Sequence, residues 1–93
     1  MNAILEILKQ HKPALMAKYP IKTLALFGSY SRGDNTKDSD IDILVELTEP
    51  IGMAFIQMAN DLEDIFHKKV DLVSKNSVKP KYMPYIQKDL QYV

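Results

Sequence analysis

Residues 28–47 read GSYSRGDNTKDSDIDILVEL, and the organisation of the chain turns on this stretch. Its second half, IDILVEL (41–47), alternates as a strand does. Ile41, Ile43 and Val45 fall on one face, and Asp40, Asp42, Leu44 and Glu46 on the other. Two acids two residues apart on a strand point the same way, with Cα atoms about 6–7 Å apart. Just upstream, TLALFGS (23–29) is an apolar run of strand length that ends on Gly28, which makes it the first strand. Ser31 to Lys37 is polar and follows a glycine turn, so it reads as a short helix or loop.

Outward from this hairpin-like centre the pattern becomes helical. Ile4, Leu5, Ile7 and Leu8 are helically spaced within a segment from Asn2 to about Gln10, with Asn2 as its cap. Pro13 is expected to end or kink that helix, or to open a second one reaching Tyr19. Between Gly52 and Phe66, Phe55, Ala59, Leu62 and Phe66 form the stripe of an amphipathic helix, with Met58 and Ile65 beside it. KKVDLVS (68–74) is a third strand, with Val70 and Leu72 on one face and Asp71 on the other. The tail from Ser77 is broken by prolines and is expected to end in a short helix carrying Ile86 and Leu90. The order α-β-(α)-β-α-β-α predicts a single α+β domain over 1–93, an α/β sandwich with a small mixed sheet, helices on one face and the other face partly open.

Composition narrows the function classes. The chain has 93 residues, 46% hydrophobic and 26% charged, with twelve basic residues against twelve acidic ones. A balanced charge gives no footprint for general nucleic-acid binding. With no cysteine there is neither a disulfide framework nor a thiolate metal site. No apolar stretch approaches the roughly 20 residues of a membrane-spanning helix, and the N-terminus lacks the order of a signal peptide. The expectation is a soluble cytoplasmic protein.

The open face carries the chemistry. Asp71 sits on a strand able to pair with that of Asp40 and Asp42, and carboxylates converging on one patch repel unless a cation neutralises them. An oxygen-only donor set suits a hard ion, Mg²⁺ or Mn²⁺. Gly28 and Ser29, with little side chain, let a phosphate approach the backbone, and Arg32 offers a fork suited to phosphate oxygens. Gly33 lets the chain turn away again. Phosphate donors at one strand end and metal carboxylates on the next form a layout for nucleotidyl transfer.

The pattern Gly28-Ser29, ten intervening residues, Asp40-x-Asp42 and a later acid in VDLV resembles the nucleotidyltransferase superfamily that includes DNA polymerase beta. The compact GSYSRGDNTKDSDIDILVE most resembles its minimal nucleotidyltransferases, the MNT-domain proteins. That resemblance implies two Mg²⁺ ions held by Asp40, Asp42 and Asp71, with Asp71 helping to remove the acceptor's proton. It implies ATP as donor, with the β/γ-phosphates on Gly28 and Ser29 and with Arg32 stabilising their charge. It further implies a HEPN-domain toxin as partner, a tyrosine of that toxin as acceptor of AMP, and the role of antitoxin for this chain. Two alternatives stay open: a non-catalytic antitoxin acting by occlusion, and an enzyme acting on a small molecule or a nucleic-acid 3′-hydroxyl.

Several other residues have plainer readings. His11 and His67 read as structural, the latter at a helix C-terminus. The stripe from Phe55 to Phe66 is core. Lys68, Lys69 and the KPK at 79–81 read as solvated ends. Tyr30 beside the phosphate turn is a candidate for stacking on a base. Tyr82, Tyr85 and Tyr92 cluster near prolines, either as a partner surface or as ordinary packing.

Overall fold

The computed structural model describes residues 2–93. Helix α1 spans Ala3–Lys18, strand β1 Ile21–Phe27, the one-turn helix α2 Ser29–Arg32, and strand β2 Ile41–Leu47. Helix α3 (Ala54–Phe66), strand β3 (Val70–Ser74), helix α4 (Met83–Gln87) and strand β4 (Gln91–Tyr92) follow. The sheet has the order β3-β2-β1-β4. β1 pairs antiparallel with β2 and with β4, while β2 and β3 are parallel. The mixed sheet of the α+β reading is therefore present.

The helices α1 and α3 supply the cover that the strands need. Ile41, Ile43, Val45, Leu24 and Leu26 are fully buried against Leu8, Leu15, Met58 and Leu62. The stripe on α3 centres on Met58, Leu62 and Phe66, four residues apart, so Met58 lies at the middle of the core rather than at its margin. Tyr19 Oη and Lys18 Nζ both donate to Asp61 Oδ2, at 2.5 and 2.8 Å, and tie the end of α1 to α3. These bonds hold the Asp61 carboxyl below its usual range, Lys18 contributing most. On the opposite face the register partners Ala25 and Leu44 are also buried, while Phe27, Glu46 and Val73 are half-buried and Asp71 and Tyr92 exposed. That face is open only in part, as expected.

Three local expectations need correction. α1 runs through Pro13 without ending there. Proline removes the N–H that would bond the Lys9 carbonyl, but both residues lie on the exposed side, where water can serve that carbonyl. Leu8 and Leu15, on either side of the proline, are buried in the same core and hold both halves of the helix to it. The short helix of the phosphate turn is Ser29–Arg32 rather than part of 31–37. The tail forms α4 but then a strand: Leu90 lies beyond the helix, and Gln91 and Tyr92 pair with Leu26 and Ala25. The free outer edge of β1 overrides the helical spacing of Ile86 and Leu90. Val93 N–H donates to the Leu24 carbonyl at 3.0 Å, and Lys12 Nζ donates to the Val93 carbonyl at 2.6 Å, so the tail is sewn to α1 as well.

His67 ends α3 in the left-handed conformation at φ 55°, its N–H bonded to the Glu63 carbonyl at 2.8 Å, which is the structural role expected of it. Among the described residues no helix is long and apolar enough to cross a membrane.

The proline in α1 gives a direct test. Pro13→Ala supplies the missing donor to the Lys9 carbonyl and removes a ring from a helix interior. It is expected to stabilise the protein by about 1–3 kcal/mol, read as a shift in the urea-unfolding midpoint at unchanged m-value.

Candidate active site

β1 delivers Phe27 opposite Asp42 of β2. The next residue, Gly28, adopts φ 75°, ψ −155°, a region essentially closed to side chains. A Cβ placed there would overlap Asp42 Oδ2 and lie 3.0 Å from its Cγ. Backbone and carboxylate thus occupy the same small space, and glycine is the one residue that permits it. From Gly28 the chain makes a single turn. Ser31 and Arg32 N–H groups donate to the Gly28 carbonyl at 3.1 and 3.0 Å, and Gly33, at φ 87°, donates to Ser29 at 2.9 Å. The amides of Ser29 and Tyr30 precede any acceptor within this turn and add to the donors at the Gly28 corner.

The carboxylates come from the two parallel strands. Asp42 and Asp71 are register partners and project from the same face of the sheet. Asp40 stands at the entrance to β2, half-buried like Asp42, while Asp71 is exposed. Burial pushes the Asp42 carboxyl up to about 6; the negative charges of Asp71 and Asp40 add to the rise, and Arg32 opposes it. All four groups from the sequence reading therefore share one electrostatic neighbourhood. Among the described residues, however, no three His, Cys, Asp or Glu side chains close into a cage ready for a metal ion. The arrangement is an open half-set of oxygens. Such a set still suits magnesium, which takes one or two carboxylates and completes its shell with water and substrate phosphates. A cation beside Asp42 would relieve the repulsion from Asp71 and Asp40 that adds to the rise.

Other residues of the reading fall differently. Arg32 Nε donates to Asp34 Oδ2 at 3.0 Å and Nη1 to Asp89 Oδ2 at 2.8 Å, so the expected phosphate ligand has two carboxylate partners here. Asp89 is 57 residues away in the chain, and no local pattern announces it. Tyr30 is only 8% exposed and packs in the core, which rules out the base-stacking role considered for it. Its ring anchors α2 instead, and its carbonyl accepts from Asn2 Nδ2 at 2.8 Å. Ser29 is half-buried at the corner. A cleft of about 490 Å³ lies behind the turn, lined by Asn2, Ile4, Tyr30, Ser31, Gly33 and Gln91 among others, with none of the three acids in its wall. Of the three acids, Asp40 and Asp42 are half-buried and Asp71 is open to solvent.

The model of the nucleotidyltransferase domain matches residues 4–93. A proposed protein adenylyltransferase of Methanocaldococcus jannaschii is 44% identical over 92 residues, covering 98% of this chain and 91% of its own. A crystal structure of a toxin–antitoxin with AMP-PNP superposes at a TM-score of 0.70 and 27% identity, covering 96% of this chain and 68% of that one. Another, of a tri-AMPylated Shewanella oneidensis HEPN toxin in complex with MNT antitoxin, superposes at 0.61 and 25% identity over 98% of this chain and 66% of that one.

The raised Asp42 pKa has a definite sign. Between its ordinary value and about 6 the folded protein binds a proton that the unfolded chain releases, so this group favours folding at low pH and loses that effect as pH rises through 6. Without divalent cations, Asp42→Asn is expected to be more thermostable than the native protein at pH 7, with the difference vanishing near pH 4. Gly28→Ala is expected to cost about 1–3 kcal/mol from backbone strain alone, measured by urea unfolding at neutral pH.

Proposed function

The chain belongs to the nucleotidyltransferase domain family, and from that premise we propose that it is a magnesium-dependent protein adenylyltransferase. It moves AMP from ATP to a tyrosine hydroxyl of a HEPN-type toxin and serves as the antitoxin of that pair. The observation that carries the reading is the pairing of Asp42 with Asp71 directly beside the bare backbone of Gly28. One strand end accepts a phosphate chain while the neighbouring strands present carboxylates that would hold its counter-cations.

In this reading Asp40, Asp42 and Asp71 would hold two Mg²⁺ ions, which would supply charge neutralisation at the phosphates and acidify the attacking hydroxyl. Gly28 and Ser29 receive the β- and γ-phosphates on their amides, and the absent side chain lets the triphosphate lie close to Asp42. Arg32 adds positive charge at the same corner. The phenolic oxygen forms its bond to the α-phosphorus as the bond from that phosphorus to the β-phosphate oxygen breaks, and pyrophosphate leaves. Asp71, the most exposed of the three acids and so the most accessible to a partner's tyrosine, takes up the phenolic proton.

The AMP-PNP and the AMPylated HEPN toxin of the superposed complexes support ATP as donor and a HEPN protein as acceptor. The open site suits a macromolecular acceptor, because a partner surface is needed to exclude water from it. Tyr82 and Tyr85, 51% and 69% exposed, offer part of such a docking surface. A purely occluding antitoxin would have no use for Gly28 in its restricted conformation against Asp42.

The test combines the protein with its HEPN partner, Mg²⁺ and α-labelled ATP. Label is expected on a tyrosine of the partner. Asp42→Asn is expected to reduce the rate about 100-fold or more, the scale of losing several kcal/mol of transition-state charge stabilisation. Equal neutralisation of the toxin by native and variant protein, without label, would establish occlusion instead. Label on an added aminoglycoside or RNA end in place of the toxin would move the acceptor to another class.

A further inference from the structure

The helix α2 is a single turn between two glycines, too short to hold its own shape. Its geometry depends on what braces it from outside. Two side chains, Asp89 and Gln91, and the Asp89 backbone carbonyl do so from the far end of the sequence. Arg32 Nη1 donates to Asp89 Oδ2 at 2.8 Å, and the Asp89 side chain is only 11% exposed. Gln91 Nε2 donates to the Ser31 carbonyl at 3.0 Å and to Ser31 Oγ at 2.8 Å. Ser31 Oγ in turn donates to the Asp89 carbonyl. The brace is itself anchored, since Gln91 begins β4 and pairs with Leu26 of β1.

We infer that Asp89 is a positioning residue for triphosphate binding. Together with Gln91 it fixes the turn that carries Ser29 and orients the Arg32 guanidinium before the nucleotide arrives. The inference rests on the reading of Gly28, Ser29 and Arg32 as the triphosphate corner. Its physical content is pre-organisation. An arginine has five N–H donors in a rigid plane. Asp34 on Nε and Asp89 on Nη1 fix that plane and leave the Nη2 edge, among the described residues, without a protein acceptor to compete with phosphate. Of the two carboxylates, Asp34 is 62% exposed by side chain and solvated, so the well-buried Asp89 sets the orientation. Without Asp89 the long side chain regains its rotamers, and binding must order both it and the turn.

The loss should therefore fall on ATP binding rather than on chemistry. The experiment measures initial rates of AMP transfer to the HEPN partner against ATP concentration, in the complex with Mg²⁺. The proteins are native, Asp89→Ala, Asp89→Asn, Arg32→Ala and the double variant Arg32→Ala/Asp89→Ala, each checked for folding by its thermal melt. Asp89→Ala is expected to raise KM for ATP about tenfold with kcat within about twofold, and Asp89→Asn to restore part of the loss. The double variant is expected to match Arg32→Ala, because Asp89 acts through Arg32. Additive losses, or an Asp89→Ala variant with native KM while Arg32→Ala is impaired, would overturn the positioning role and leave the corner standing. An unchanged KM in Arg32→Ala would remove Arg32 from the triphosphate corner, and this inference with it. An Asp89→Ala variant too unstable to assay leaves Asp89→Asn to decide, by the same KM criterion.

Discussion

The contact between the Asp42 carboxylate and the backbone of Gly28 is the constraint from which the rest of the molecule can be followed. Two strands of a small sheet converge there. The turn that joins them must leave β1 in a conformation that only glycine tolerates, because an acid of the adjacent strand already fills the space beside it. An ionised carboxylate in that position is disfavoured by its burial and by its acidic neighbours. A fold selected only for stability would not place it so. The apolar seal of α1 and α3 on the far face supplies the stability that tolerates it.

This separation of tasks follows from strand alternation. Along β2, Ile41, Ile43 and Val45 go to the core, and Asp42, Leu44 and Glu46 to the other side. A period of two lets one short segment serve as core on one side and carry acids on the other. The central position of β2, between β1 and β3, gives Asp42 hydrogen-bonded neighbours on both flanks.

Much of this was legible in the sequence because the signals were local. The alternation in IDILVEL, the glycine at the end of TLALF and the stripe on α3 each declare themselves within a few residues. What escaped was decided at a distance. β4 exists because β1 has an edge to offer, and two residues cannot show a period. Pro13 stays inside α1 because its exposed side has water available and its buried side has Leu8 and Leu15, neither of which a proline rule can see. Tyr30 looked accessible from its place in a polar loop, yet the turn rotates its ring inward. Arg32 was readable as a cation near the corner, whereas Asp89, the partner that orients it, is invisible until the tail folds back.

The sheet order also grades how firmly each acid is held. Asp42 rides on an inner strand locked on both flanks, whereas Asp71 rides on β3, which borders the sheet and is paired on one flank only. An outer strand yields more readily than an inner one. The topology thus gives two identical side chains on one face of the sheet unequal rigidity.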